Sequence, residues 1–298
     1  MRLALALCLG LATPALADDI TIDTAKGPAV IPAQPKTIAV YDSAAIDTLD
    51  ALGVKIAGVP SPLLVPYLQD VVAGATGVGT LFEPDFEALA RLNPDLIIVG
   101  GRSSAQFDAV ARVAPAIDMT LPTDDLIGTA LDRLAAYGAL TGHEAEARAL
   151  ARDFTAKLDE ARAAVAGKGN GLIILTNGPK MSAYGAGSRF GWIHSALDLP
   201  EARGGLTTQT HGEAVSFEFI AEVDPDWLLV VDRGRAVGAE GNAAAQTLDN
   251  ALVRETRAWK AGQVVYLDPA RLYIAGGGIQ SMSGTLDELI AAFGASES

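Results

Sequence analysis

The sequence predicts an α/β protein of two similar lobes, each built on a mainly parallel sheet, joined by one long helix. Three observations carry this expectation. Short apolar, β-branched runs alternate with helical patterns. One pattern of residues occurs twice at a fixed spacing. A helical stretch free of Gly and Pro separates the two copies.

The alternation comes first. Residues 37–41 read as a strand and 44–52 as the helix after it. Further buried strands are expected at 96–99, 171–176, 227–231 and 264–267. Strands interleaved with helices imply parallel sheets covered by helices. The repeat comes second. Residues 87–99 and 218–230 both run helix, Asx-Pro-Asp turn, buried strand, at an offset of 131 (87 to 218, 95 to 226). Asn93-Pro94-Asp95 and Asp224-Pro225-Asp226 are the two turns. Proline ends each helix because the residue before it is pushed out of the right-handed α region. The third observation is 143–165, rich in Ala, Glu, Arg and Leu. It predicts a single rigid helix of roughly 35 Å at ~1.5 Å per residue. A flexible hinge would carry more Gly, Ser or Pro. The expected organisation is a signal peptide over 1–17, a first lobe over 18–142, a linking helix over 143–166 and a second lobe over 167–298.

The signal peptide rests on Arg2, a short apolar run over 3–12 and the cleavage site Ala15-Leu16-Ala17. The run is too short to span a bilayer, which takes roughly 20 apolar residues. Cys8 lies inside this run and follows Leu7, a poor context for lipid attachment. The expectation is therefore a free periplasmic protein that begins at Asp18, without cysteine. Its composition is acidic: 21 basic residues (22 less Arg2) against 36 acidic ones, a formal charge of −15. Nucleic acid and anionic membrane surfaces call for a basic face and are excluded. Against that background, a cluster of arginines would be informative.

Three arginines occupy suggestive positions. Arg102 follows the first repeated strand and Arg233 the second, again 131 apart. Open α/β sheets bind ligands at the carboxyl ends of their strands. Arg189 lies in a Gly-rich loop, Tyr184-Gly-Ala-Gly-Ser-Arg189. Each is open to two readings, a solvated surface charge or part of an anion site held by forked hydrogen bonds. His211, in a polar loop, is a solvated histidine or a binding residue. Tyr273, past the last strand, is a packing tyrosine or a binding one. His143 is expected exposed at the start of the long helix, and His194 packed inside a helix. The chain has no G-x-S-x-G, G-x-x-x-x-G-K or H-E-x-x-H motif, so no enzyme signature appears. Gly276-Gly277-Gly278 reads as loop. Three scattered histidines do not make a zinc or manganese cage.

Five segments in order then carry a family resemblance: 184–191, Thr210-His-Gly212 with Phe217-Glu-Phe-Ile220, Val230-Val-Asp-Arg233, Asp249-Asn-Ala-Leu-Val253 and Tyr266-Leu-Asp-Pro269 with Tyr273. Gly101-Arg102-Ser103 is a shorter match. The chain resembles the periplasmic siderophore-binding proteins of bacterial ABC importers, of the enterochelin and petrobactin type. The resemblance implies the class III binding-protein fold and no catalytic activity. It implies that Arg102, Arg189 and Arg233 line a cleft for a ferric catecholate, with no permanently bound cofactor. His211 and Tyr273 would complete the coordination of its iron. Glu87 and Glu218, equivalent residues of the repeat, would dock on the two permease subunits of an importer, the carrier itself being a monomer. The bland reading of those two glutamates is favourable placement at helix starts. Arg235 and Arg271 add charge near the expected cleft without an assigned role. A haem or corrinoid carrier of the same fold, or a periplasmic enzyme, are the alternatives.

Overall fold

The structure is a computed structural model that describes residues 19–209, 211–239 and 243–295. The expected signal peptide, with Cys8 and its cleavage site, lies outside the described residues. No helix among the described residues is long and apolar enough to cross a membrane.

The chain opens with an antiparallel hairpin, β1 (Asp19–Thr24) and β2 (Gly27–Pro32), that the sequence reading did not contain. A first sheet follows. Its strands are β3 (Ile38–Val40), β4 (Gly58–Val59), β5 (Thr76–Gly77), β6 (Leu96–Val99) and β7 (Ala116–Asp118), in the order β5-β4-β3-β6-β7. All its pairings are parallel, as expected. The second sheet holds β8 (Gly171–Asn177), β9 (Lys180–Tyr184), β10 (Glu213–Val215), β11 (Trp227–Asp232) and β12 (Val264–Leu267), in the order β10-β9-β8-β11-β12. Here β8, β11 and β12 are parallel, whereas β9 alone is reversed and pairs antiparallel with both β8 and β10. The cause is local. Only Gly178 and Pro179 separate Asn177 from its partner Lys180, and so short a link permits only a hairpin.

Both sheets obey the period of two that sets side-chain direction in a strand. Ile38, Val40, Leu96 and Ile98 point into one shared core, with Ile173, Leu175, Leu229 and Val231 of the second sheet. Helix Glu144–Val165 runs through the same core and contributes Phe154, Leu158, Ala161 and Val165. The alternate residues face outward. Ala39, Tyr41, Ile97 and Val99 form one outer core, and Leu172, Ile174, Leu228 and Val230 another. His143, the residue before the long helix, is half-buried rather than exposed, its Nδ1 lying 3.0 Å from Thr141 Oγ1.

The repeat is structural as well as sequential. Helices Phe86–Leu92 and Phe217–Val223 start on the capping side chains of Asp85 and Ser216. They end at Asn93 and Asp224, both left-handed, with φ of 50° and 44°. The aspartate after each proline then secures the neighbouring parallel strand at its start. Asp95 accepts from the Lys36 and Thr37 amides at 2.9 Å, and Asp226 accepts from the Asn170 amide at 2.9 Å.

A clamp joins the beginning of the chain to its end. Helix Ile279–Gly294 has no cap of its own, because Gly278 precedes it. Helix Ser43–Ala51 supplies the cap instead. Asp47 accepts from the Gln280 amide at 2.8 Å and the Ser281 amide at 3.0 Å. Thr48 Oγ1 accepts from the Ile279 amide at 3.2 Å. The Tyr67 hydroxyl donates to the same carboxylate at 2.6 Å. A Cβ at residue 278 would stand 2.4 Å from Asp47 Cγ, so only glycine fits there. The triple glycine is thus a close-approach device at a helix start.

Asp47 is fully buried. Burial pushes its carboxyl up to about 7, against the pull of the Tyr67, Gln280 and Ser281 donors and the Arg271 charge. The folded value lies above the ordinary one of about 4, so folding takes up a proton. The stability this group contributes is present below about pH 4 and fades as the pH rises through about 7. Asp47→Ala strands three donors and costs about 3 kcal/mol, which urea denaturation measures. Asp47→Asn narrows the difference in melting temperature between about pH 5 and about pH 8.

Candidate functional site

A cleft of about 880 Å³ opens between the carboxyl ends of the two sheets. Arg102, Arg189, His211, Arg233 and Tyr273 all line it. Sequence positions spread over 172 residues are thereby brought to one place.

Each arginine is delivered by a strand. Arg102 follows β6, in the short helix Gly101–Gln106. Arg233 follows β11 and opens the turn Arg233–Ala236. Arg189 lies in the loop after β9. The three converge on Tyr273, which follows β12. Arg102 Nη2 donates to the Tyr273 carbonyl at 2.8 Å, and its Nη1 to the Ile274 carbonyl at 3.3 Å. Arg189 Nη2 donates to the same Tyr273 carbonyl. Arg233 Nε donates to the Tyr273 hydroxyl at 3.2 Å, and its Nη1 to Asn177 Oδ1 at 3.3 Å. The guanidinium carbons of Arg189 and Arg102 lie 4.2 and 5.0 Å from the centre of the Tyr273 ring. Cations at that range are drawn to the ring face.

The electrostatics follow from this crowding. Burial alone would raise the Tyr273 hydroxyl. The hydrogen bond from Arg233 and the charges of Arg189 and Arg102 outweigh it, and the phenol falls below its ordinary value. Burial, and then the repulsion of Arg102, lower Arg189. Asp42 also lines the cleft. Burial pushes its carboxyl up to about 6, against the Ala45 amide and the Arg102 charge. The lining therefore gathers four cationic side chains, Arg102, Lys180, Arg189 and Arg233, in a strongly acidic protein.

The sequence alone singles out neither Lys180 nor Ser182, and it marks Tyr184 only as the first residue of the Gly-rich segment. They alternate along β9 and all face the cleft, so a period of two was the available signal. Trp192, Leu81 and Phe82 also line it, with no sequence signal of their own. His194 is buried, its Nδ1 3.0 Å from the Leu199 carbonyl, and burial lowers its pKa, in keeping with packing. Neither Arg235 nor Arg271 lines the cleft, contrary to the expectation of charge there. Arg235 is exposed. Arg271 belongs to the clamp. It stacks on Tyr67 at 4.5 Å, donates to the Gln280 carbonyl at 3.2 Å and faces Asp268 at 3.6 Å. Glu87 and Glu218 stand outside the cleft, exposed in the first turns of the repeated helices. Glu87 meets Arg91 at 3.6 Å, and the Ser216 hydroxyl holds the Glu218 carboxyl below its ordinary value. Among the described residues, no group of three or more His, Cys, Asp or Glu could hold a metal ion.

The lowered Tyr273 phenol is directly measurable. An ultraviolet titration shows one tyrosine ionising below the ordinary value of about 10, and Tyr273→Phe removes that step.

Comparison with known proteins agrees with this architecture. The petrobactin-binding protein YclQ of Bacillus subtilis is 35% identical over 267 residues, 87% of this chain and 83% of the relative. The ferric-anguibactin-binding protein FatB of Vibrio anguillarum is 27% identical, over 92% of this chain and 87% of the relative. The crystal structure of YclQ superposes with a TM-score of 0.89 at 32% identity, over 93% of this chain and 99% of that one. The catecholate-siderophore binding protein VctP of Vibrio cholerae gives 0.86 at 27% identity, over 93% and 100%. These relatives are binding proteins, not enzymes. The family model described as periplasmic binding protein matches residues 38–270, and the chain belongs to that family.

Proposed function

We propose that this protein captures a ferric siderophore of the catecholate type in its cleft and delivers it to an ABC importer. The carrying observation is the gathering of Arg102, Arg189, Arg233 and Lys180 around one cleft of an acidic chain. Such a wall suits an anionic ligand bound through charge-assisted hydrogen bonds. The relatives named for petrobactin, ferric anguibactin and a catecholate siderophore support the choice of ligand.

The chemistry is consistent. Iron(III) is hard and highly charged, and it favours anionic oxygen. A siderophore supplies most of that shell, and the complex stays anionic. In this reading His211 and Tyr273 fill the positions that a tetradentate ligand leaves open, and the lowered phenol of Tyr273 helps it serve as an anionic oxygen. Glu87 and Glu218 dock the carrier on the permease. Export by the expected signal peptide, release into the periplasm without a lipid and function as a monomer belong to the same proposal.

Fluorescence titration tests it, because Trp192 lines the cleft and reports on its contents. The panel holds ferric siderophores, haem and vitamin B12. The protein binds the ferric catecholate, and preferential binding of haem or the corrinoid overturns the reading. Arg102→Ala, Arg189→Ala and Arg233→Ala each weaken binding about tenfold to a hundredfold, the range for hydrogen bonds to charged groups. His211→Ala weakens tetradentate ligands more than hexadentate ones. Glu87→Ala with Glu218→Ala leaves affinity intact and slows radioiron uptake by cells.

A further inference from the structure

The cleft has two unlike walls. Lys180, Arg189 and Arg233 stand on the second sheet's side. The first sheet's side carries a single cation, Arg102, and beside it Ala44, Leu81, Phe82, Leu121 and Leu126. Phe82 is the anomaly among these. It is 59% exposed, and its ring stacks on no other ring among the described residues. A single exposed apolar side chain is ordinary and explains nothing by itself. What sets Phe82 apart is how firmly the chain holds it at the cleft.

Phe82 sits on the tip of a pinned turn. The Thr80 hydroxyl oxygen accepts from the Phe82 amide at 3.2 Å and the Glu83 amide at 3.0 Å. The Thr80 amide donates to the Glu83 carbonyl at 2.9 Å. Gly79 bridges Pro84 across the base, where its φ of +97° leaves no room for a side chain. The Ser61 amide donates to the Gly79 carbonyl at 2.8 Å, and the Asp85 amide to the Val78 carbonyl at 2.9 Å. The backbone under Phe82 is therefore fixed before any ligand arrives. On a fixed backbone an aromatic side chain has only two torsions left to order on binding, which is how such residues add contact area at low entropic cost.

Resting on the ferric siderophore reading, we infer that Phe82 is a specificity-determining residue of the cleft, covering the ring face of an aromatic chelate and setting its preference over aliphatic ones. A ferric catecholate presents two surfaces, anionic oxygens around the metal and flat rings at the periphery. The cationic wall meets the first and Phe82 the second. An aliphatic hydroxycarboxylate chelate presents only the first. Aromatic pairs hold together beyond their plain burial, so the contact distinguishes a ring from an alkyl group of similar size.

Fluorescence titration of Phe82→Ala, Phe82→Leu and Phe82→Tyr decides the matter. The probes are the iron(III) complex of a bis-catecholamide and ferric citrate. Phe82→Ala and Phe82→Leu lose about tenfold in affinity for the catecholamide complex, and Phe82→Tyr stays within about twofold of the parent. Ferric citrate either fails to bind the parent or binds parent and variants alike within about twofold. Urea midpoints equal to the parent's show that the fold is intact, as expected for an exposed side chain. If Phe82→Leu binds the catecholamide complex as tightly as the parent, or if ferric citrate loses as much, the inference is overturned. If the arginine variants weaken binding while all three Phe82 variants match the parent, this inference falls and the siderophore reading stands. If the parent binds neither probe, both fall.

Discussion

The cap that Asp47 and Thr48 place on helix Ile279–Gly294 is the constraint on which the remaining architecture depends. A helix start carries amides with no partner in the helix, and burying them unpaired would be expensive. Here the partners come from the other end of the chain. The cap fixes where the last helix begins, and so fixes the segment just before it, 268–278. That segment carries Tyr273. The Gly278 position, the stacking of Arg271 on Tyr67 and the burial of Asp47 serve one arrangement. Polar groups buried this deeply are secure only when every member is satisfied, and this set is densely bonded.

Tyr273 then organises the cleft. Three like charges brought together repel, and burial makes the repulsion worse. The backbone carbonyl of Tyr273 takes two guanidinium groups, its hydroxyl takes the third, and its ring face attracts two of them. One residue thereby offsets much of the cost of bringing three cations together.

Much of this was legible in the sequence. The repeated Asx-Pro-Asp turn marked both β6 and β11, because proline and left-handed Asx residues leave a plain local signature. The strand ends then pointed to Arg102 and Arg233. Other features were not legible because their causes lie far away in sequence. β4 and β5 are two residues long and carry no pattern of their own. The role of Gly278 depends on Asp47, and that of Arg271 on Tyr67. Arg235 and Arg271 looked like cleft residues from linear proximity alone, which says nothing about the side on which a residue falls after a turn. Lys180 lay within reach of a strand-parity argument, since Met181 and Ala183 alternate with Lys180 and Ser182, but five residues are a short run in which to see it.

The core common to both sheets has a mechanical consequence. With Leu175 and Val231 packed in the same cluster as Val40 and Ile98, the jaws cannot swing freely apart without wetting apolar surface. Opening them would cost about 25 cal/mol for each Å² of apolar surface wetted. Helices Phe86–Leu92 and Phe217–Val223 pack on the outer faces of the same two sheets through Leu89 and Ile220. Each runs through a tight, proline-containing turn straight into the strand that leads to Arg102 or Arg233. The spacing between those two arginines is therefore set by the buried core behind them and not by the loops that carry them.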